Sequence, residues 1–221
     1  AAGFTVFSSA SSVSKNGDKT RDPRLKTVKG LGLVSEVFKE EDLEVKGSFG
    51  IGHTRYPTSG YIKEVDVQPF IYKNIAIAHN GHTANDELIK KRLVDAGYEY
   101  ESCVDSETIA FLIDEKIKGG LEEAVSSIMK EIDGAYSNVG IVNGDLIIFR
   151  DPHAIRPLVW GENDDLICFA SETCALDINS IPYHGQVFGG ELVVIENGKI
   201  KRKILNKKAA FNCMFEYVYF S

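Results

Sequence analysis

Arg55, Asn80, Gly81 and Asp105 are the residues of this chain best suited to hold one small polar molecule and polarise it. Arg55 lies in Gly52-His53-Thr54-Arg55-Tyr56-Pro57-Thr58-Ser59-Gly60, at the end of a strand-like run. A guanidinium there is a planar, two-pronged donor for a carboxylate, and Thr58 adds a hydroxyl beside it. Asn80 and Gly81 follow a second apolar run. A side-chain amide and a backbone N–H aimed at one point have the geometry of an oxyanion hole. Asp105, in Cys103-Val104-Asp105-Ser106-Glu107, opens a helix and offers a carboxylate to an ammonium group. Arg55 and Asp105 would then grip the two charged ends of an α-amino acid, with the oxyanion donors facing its side-chain carbonyl.

Taken singly, each residue has a plainer use. Arg55 suits a surface ion pair, Thr58 a turn hydroxyl and Tyr56 simple packing. Asn80-Gly81 reads as a turn, and Asp105 as a helix cap or first-turn acid. The order and spacing of the whole set favour a shared ligand. His79 and His82 raise a metal reading, but no further Cys or His stands at a useful spacing.

Several elements must position these groups. Gly3 to Phe7 is a strand, and the polar run Ser8 to Arg24 an exposed loop. A short apolar run covers Lys29 to Val34, one or two helical turns Glu40 to Val45, and a strand Ser48 to Thr54. Phe70 to Tyr72 and Ile75 to His79 form a hairpin about Lys73-Asn74. Helices are expected over Asn85 to Ala96, Asp105 to Lys118 and Leu121 to Ile132; the last has Leu121, Ala124, Val125, Ile128 and Ile132 on one face. Two Asn-Gly hairpins follow, Ala135 to Val142 with Asp145 to Arg150 and Glu191 to Glu196 with Lys199 to Leu205, and Leu166 to Ala170 is a further strand. Hairpins with helices grouped between them give an α+β class with mainly antiparallel sheet.

Composition narrows the choice of function. The 221 residues are 43% apolar and 26% charged, with a formal net charge of −7, so neither a disordered chain nor a nucleic-acid binder is indicated. Lys199 to Lys208 is basic but alternates with apolar residues like an exposed strand. No apolar run approaches the roughly 20 residues of a membrane span. The four cysteines, Cys103, Cys168, Cys174 and Cys213, form no Cys-x-x-Cys pair and fit a reduced, cytoplasmic protein. Cys174, near a helix start, is the internal thiol best placed for a lowered pKa.

The segments quoted above, with Gln68-Pro69-Phe70, Ala78-His79-Asn80-Gly81 and Val104-Asp105-Ser106-Glu107-Thr108, resemble the class II glutamine amidotransferase domain, of the N-terminal-nucleophile hydrolase type. Lys29 to Val34, Arg150-Asp151-Pro152 with Ile155-Arg156-Pro157-Leu158, Ala170-Ser171-Glu172 and Phe215 to Phe220 are most similar to the phosphoribosylpyrophosphate-using branch. Tyr56 agrees, because the hexosamine-forming branch usually carries Trp there. The resemblance runs from Ala1 to Ser221. It implies a four-layer αββα sandwich of two mainly antiparallel sheets. It also implies that Arg55, Thr58 and Asp105 bind the carboxylate and amine of glutamine. Gly81 would bind glutamine and share the oxyanion hole with Asn80, and Tyr56 would belong to a loop closing over the ligand. In the family a cysteine thiolate attacks the glutamine side-chain amide, ammonia leaves, and water hydrolyses the thioester. In the whole enzyme the ammonia displaces pyrophosphate from phosphoribosylpyrophosphate, giving phosphoribosylamine for purine synthesis.

The sequence departs from that family in three respects. The nucleophilic cysteine, its strand and a following helix would precede Ala1. The Ser8 to Arg24 loop is long. The phosphoribosyltransferase half is not present: Asp164-Asp165 leads into the strand-like Leu166-Ile167-Cys168-Phe169, not a phosphate loop. The expectation is one glutaminase-like domain over residues 1–221, without its first strand and helix or the downstream domain. It would hold no cofactor itself. The full-length enzyme would use magnesium and, in some members, an iron–sulfur cluster to which Cys213 adds one thiolate. Expected partners are glutamine, a phosphoribosyltransferase domain in cis or trans, and further copies in a homo-oligomer, with neither nucleic acid nor membrane. A second reading keeps Arg55 and Asp105 but not catalysis, as a ligand-binding or regulatory module. A third, a glutamate or hexosamine synthase, fits Phe215 to Phe220 poorly.

Overall fold

A computed structural model of the chain describes residues 1–8, 22, 24–55, 63–196, 198–215 and 218. Twelve strands and five α-helices are found among them. In chain order they are β1 (Ala2–Phe7), β2 (Leu25–Gly30), α1 (Val34–Val37), β3 (Phe49–Thr54), β4 (Phe70–Tyr72), β5 (Ile75–Thr83), α2 (Asp86–Asp95), α3 (Asp105–Lys116), α4 (Leu121–Glu131), β6 (Gly134–Val142), β7 (Asp145–Arg150), β8 (Val159–Glu162), β9 (Ile167–Ala170), α5 (Thr173–Ile178), β10 (Tyr183–Gln186), β11 (Glu191–Glu196) and β12 (Lys199–Ile204). The sheet orders are β2-β1-β3, β10-β8-β9 and β12-β11-β7-β6-β5-β4. No helix among the described residues is long and apolar enough to cross a membrane.

The residues group into two compact units. The first is Ala1–His79, Asp86–Glu115 and Val139–Leu146; the second is Asn80–Asn85, Lys116–Asn138 and Ile147–Ser221.

In the first unit β1 is the centre of an antiparallel sheet. Its register runs Ala2↔Gly30 to Phe7↔Leu25 on one side and Ala2↔Thr54 to Phe7↔Phe49 on the other. The Arg55 N–H then donates to the Ala1 carbonyl at 2.8 Å, fixing the backbone from which the Arg55 side chain projects. Helix α3 is buried from Ser106 to Ile113; Ile109 to Ile113 is an apolar run without a polar face, and the polar residues before it are buried as well. Its Phe111 ring meets the rings of Tyr72, Tyr98 and Tyr100 at 4.7–4.9 Å. Glu107, fully buried, accepts the N–H groups of Glu101 and Ser102, both at 2.8 Å, and the Ser102 hydroxyl. That pins the turn into α3 and places Asp105 at the helix start.

In the second unit α4 turns Ala124, Val125, Ile128 and Met129 inward; of the expected face, Ala124, Val125, Ile128 and Ile132 are buried, Leu121 is half-buried, and Met129 is an addition. Strand β12 pairs with β11 and is exposed along nearly its whole length, as its alternation of charge predicts.

Some expectations needed revision. The strand ending at His79 continues to Thr83, so His79-Asn80-Gly81 is extended strand and not a turn. Strand β2 begins at Leu25, before the expected apolar run, because it pairs residue for residue with β1. Strands β8 and β10 had no sequence expectation, and of α5 only its start near Cys174 was expected. The Asn143-Gly144 turn forms as expected, with φ of 55° and 94°. Most of the Ser8 to Arg24 loop, Asn197 and most of the Phe215 to Phe220 segment lie outside the described residues.

Candidate functional site

The first unit gathers a charged cluster around the end of β3. Asp66 is buried there at the end of a one-turn helix. Its Oδ1 accepts the Cys103 N–H at 3.2 Å and the Cys103 thiol at 3.4 Å, and its Oδ2 accepts the Lys63 N–H at 3.0 Å. Burial pushes the Asp66 carboxyl up. The two N–H donors, the thiol and the nearby Arg55 guanidinium outweigh burial and hold it below its ordinary value. The Nη1 of Arg55 is buried and has no hydrogen-bond partner among the described residues.

Asp105 lies two residues beyond the Cys103 anchor. Its Oδ2 is 3.2 Å from Nε2 of His79, a ring only 2% exposed. The His79 backbone is clamped in turn: its N–H donates to Gln68 Oε1 at 2.6 Å, and its carbonyl accepts Gln68 Nε2 at 3.3 Å. His53 completes the group. Burial, then the neighbouring His79 ring and Arg55 guanidinium, bring His53 down to about 4, against an opposing backbone hydrogen bond at His79. Arg55 and Asp105 therefore belong to one cluster, joined through Asp66, Cys103, His79 and His53.

The His53 shift makes a prediction for stability. Unfolded, the ring takes up a proton as pH falls through about 6.5; folded, it does so only near 4. The unfolded state binds more protons in that window, so stability is intact above pH 6.5 and falls towards pH 4. His53→Gln should remove about 2–3 kcal/mol of this acid-side loss. Thermal unfolding between pH 7 and 4 tests it: the variant's melting temperature should fall less steeply than that of the unaltered protein, and equal slopes would refute the assignment.

Asn80 and Gly81 belong to the second unit. Asn80 is half-buried. Its Oδ1 accepts Arg156 Nη2 at 2.6 Å, and its Nδ2 donates to Ser171 Oγ at 3.2 Å. Gly81 is exposed, has φ of 152°, and packs so closely that an added Cβ would stand 2.0 Å from the Ala135 carbonyl oxygen. Arg156 sits on a rigid turn. Its N–H and those of His153, Ile155 and Tyr136 all point to the fully buried Asp151 carboxylate. Burial raises the Asp151 pKa, opposed by those N–H groups. The Arg156 carbonyl accepts Arg150 Nε at 2.6 Å and the Ser137 hydroxyl at 3.1 Å.

Tyr56 and Thr58 lie outside the described residues. Arg156, Ser171, Asp66 and His53 had no expected site role, because each acts through contacts that no local spacing announces. The expectation for Cys174 is corrected. Its thiol donates to Glu172 at 3.2 Å, and that carboxylate raises its pKa instead of lowering it. Burial also pushes the Cys168 thiol up. Cys213 is half-buried and free. Among the described residues no group of three or more His, Cys, Asp or Glu side chains is placed to hold a metal. One thiol does not make an iron–sulfur site, so the residues described here do not fit a cluster on their own.

An arginine whose Nη1 has no hydrogen-bond partner among the described residues, in one cluster with a helix-start carboxylate, suits a zwitterionic amino acid, and an oriented asparagine amide suits a developing oxyanion. Residues 53–177, more than half the chain, match the family model described as the glutamine amidotransferase domain, and the chain belongs to that family. It is 36% identical over 204 residues to amidophosphoribosyltransferase 1, chloroplastic, of Arabidopsis thaliana, covering 89% of this chain and 36% of the relative. To the amidophosphoribosyltransferase of Methanocaldococcus jannaschii it is 37% identical over 216 residues, 87% of this chain and 46% of the relative. The solved glutamine phosphoribosylpyrophosphate amidotransferase of Bacillus subtilis, complexed with ADP and GMP, superposes with a TM-score of 0.84 at 31% identity, over 100% of this chain and 46% of that one. This chain is thus a glutamine amidotransferase domain homologous to that of amidophosphoribosyltransferases, with their α+β N-terminal-nucleophile fold. It spans less than half the length of these relatives.

Proposed function

We propose that this chain is the glutaminase part of an amidophosphoribosyltransferase, taking ammonia from glutamine for phosphoribosylamine formation in purine synthesis. The observation that carries the reading is Nη1 of Arg55, buried without a hydrogen-bond partner among the described residues, in one cluster with Asp105. Arg55 takes the glutamine carboxylate, a role that the resemblance shares with Thr58, which lies outside the described residues, and Asp105 takes the ammonium. Asn80 Nδ2 and the Gly81 N–H stabilise the oxyanion formed when a thiolate adds to the side-chain amide. By the family resemblance that thiolate is an N-terminal cysteine, whose own amine serves as base. Ammonia then leaves, and water hydrolyses the thioester.

The phosphoribosyltransferase step needs a second domain, in cis or in trans, and further copies in a homo-oligomer. Magnesium belongs to that domain. Where a member carries an iron–sulfur cluster, Cys213 would supply one of its thiolates. Four free cysteines among the described residues suit a reducing compartment such as the cytoplasm.

The protein expressed from its complete reading frame should release glutamate and ammonia from L-glutamine, and should leave D-glutamine intact. Titration calorimetry should show L-glutamine binding to this domain. Binding without turnover in the complete protein would favour a domain that has kept its ligand and lost its chemistry. No binding of either kind would overturn the proposal.

A further inference from the structure

An amide side chain is a useful oxyanion donor only if its NH2, and not its carbonyl, faces the reacting oxygen. The two ends are nearly isosteric, so rotation by half a turn converts stabilisation into repulsion. Something must therefore set the orientation of Asn80. Arginine carries donors and no acceptor, so the Asn80 atom 2.6 Å from Arg156 Nη2 must be the oxygen. The nitrogen is then directed away from Arg156, at 3.2 Å from Ser171 Oγ. That nitrogen carries two hydrogens. Ser171 uses one, leaving the second for a substrate oxygen.

We infer that Arg156 is a positioning residue for glutamine hydrolysis, locking the Asn80 amide with its N–H towards the oxyanion; this rests on the proposed glutaminase reading. The turn that carries Arg156 is built for such a task. Its backbone is held at both the N–H and the carbonyl, by Asp151 on one side and by Arg150 and Ser137 on the other. Those bonds use main-chain atoms of residue 156, so they survive replacement of its side chain. A charge-assisted bond to the Asn80 carbonyl also polarises the amide and makes its N–H a stronger donor. A second effect follows from charge. The guanidinium places a fixed positive group one amide away from the developing negative oxygen, and such preorganised electrostatics act chiefly in the transition state. The effect should therefore fall on kcat and not on KM.

The test uses the protein expressed from its complete reading frame, with glutamate release from L-glutamine as the readout. Asn80→Ala removes the donor outright and should lower kcat about 100- to 1,000-fold. Arg156→Met leaves the donor present but unoriented, and should lower kcat roughly 10- to 100-fold with KM for glutamine within about twofold. In the Asn80→Ala background, Arg156→Met should lower kcat by a much smaller factor, since no amide is left to orient and only the charge effect remains. Arg156→Lys, which keeps a cation and one donor in reach, should fall between the unaltered protein and Arg156→Met. If Arg156→Met does not fold, the Lys variant carries the test by its drop in kcat at constant KM.

Unchanged kcat in Arg156→Met would overturn the inference, as would a rise in KM alone. So would an equal loss with and without Asn80, which would mark a general structural role. If Asn80→Ala itself keeps full turnover, the oxyanion reading fails before Arg156 is tested, so the two failures are told apart.

Discussion

Gly81→Ala is expected to lower the melting temperature by roughly 8–16 °C and to abolish glutamine hydrolysis. The physical reason is twofold. At φ of 152° an alanine is strained, which costs about 1–3 kcal/mol. The new Cβ would also lie 2.0 Å from the Ala135 carbonyl oxygen and 2.7 Å from the Tyr136 Cα. Backbone on both sides leaves no flexible side chain to give way, and overpacking of this kind adds about 1–3 kcal/mol. The sum, about 4 kcal/mol, is a large share of the roughly 5–15 kcal/mol by which a domain is stable. Moving residue 81 off Ala135 also moves the N–H assigned to the oxyanion and the Asn80 amide next to it. Gly97→Ala is the control. Its φ of 94° brings strain, but nothing lies within 4 Å of the added carbon, so its melting temperature should fall by only a few degrees. Differential scanning calorimetry of the two variants decides the matter. Equal, small shifts would mean that the contact at Ala135 is not the constraint.

The same glycine shows where sequence reading succeeds and where it stops. Asn80-Gly81 is a turn signal because both residues tolerate positive φ. Here the strand continues to Thr83, and glycine is required because the Ala135 backbone comes too close for a side chain. One residue type serves two purposes, and only the neighbouring backbone distinguishes them. Elements with a clear period or a paired turn were legible: α4 by its apolar face, β6 and β7 by Asn143-Gly144. Helix α5 has six residues and β10 only four, too few to establish a period. Arg55, Asn80, Gly81 and Asp105 could be singled out because their residue types name their chemistry. Arg156 could not, because its bond to Asn80 spans 76 positions and nothing near either residue signals it. Cys174 was misread for a similar reason. A helix start lowers a thiol pKa in isolation, but Glu172 two residues earlier takes the hydrogen bond and reverses the sign.

Arg55→Met should separate ligand affinity from stability, and the direction of each effect is fixed by the surroundings of the guanidinium. A buried donor without a partner destabilises the free protein by about 1–3 kcal/mol relative to a satisfied one. A ligand carboxylate supplies the missing acceptor, so the stabilisation withheld from folding appears on binding. Methionine has a comparable length and no donors. It should leave the melting temperature of the ligand-free protein unchanged or higher. Asp66 does not become an orphan in the variant, because Lys63, Cys103 N–H and the Cys103 thiol still hold it. In the proposed site the glutamine carboxylate, by contrast, loses its charged partner. Truncating one side of such a desolvated pair costs about 2–5 kcal/mol, or roughly 30- to 4,000-fold in Kd. Arg55→Lys should recover only part of that loss, since an ammonium does not reproduce the planar two-pronged donor. Calorimetric titration with L-glutamine, alongside thermal unfolding without ligand, reads both quantities. A fall in melting temperature that tracks the loss of affinity would make Arg55 a structural residue and remove the carboxylate clamp from the proposed site. Stability held while affinity collapses is the outcome that a binding arginine, poised for an absent partner, requires.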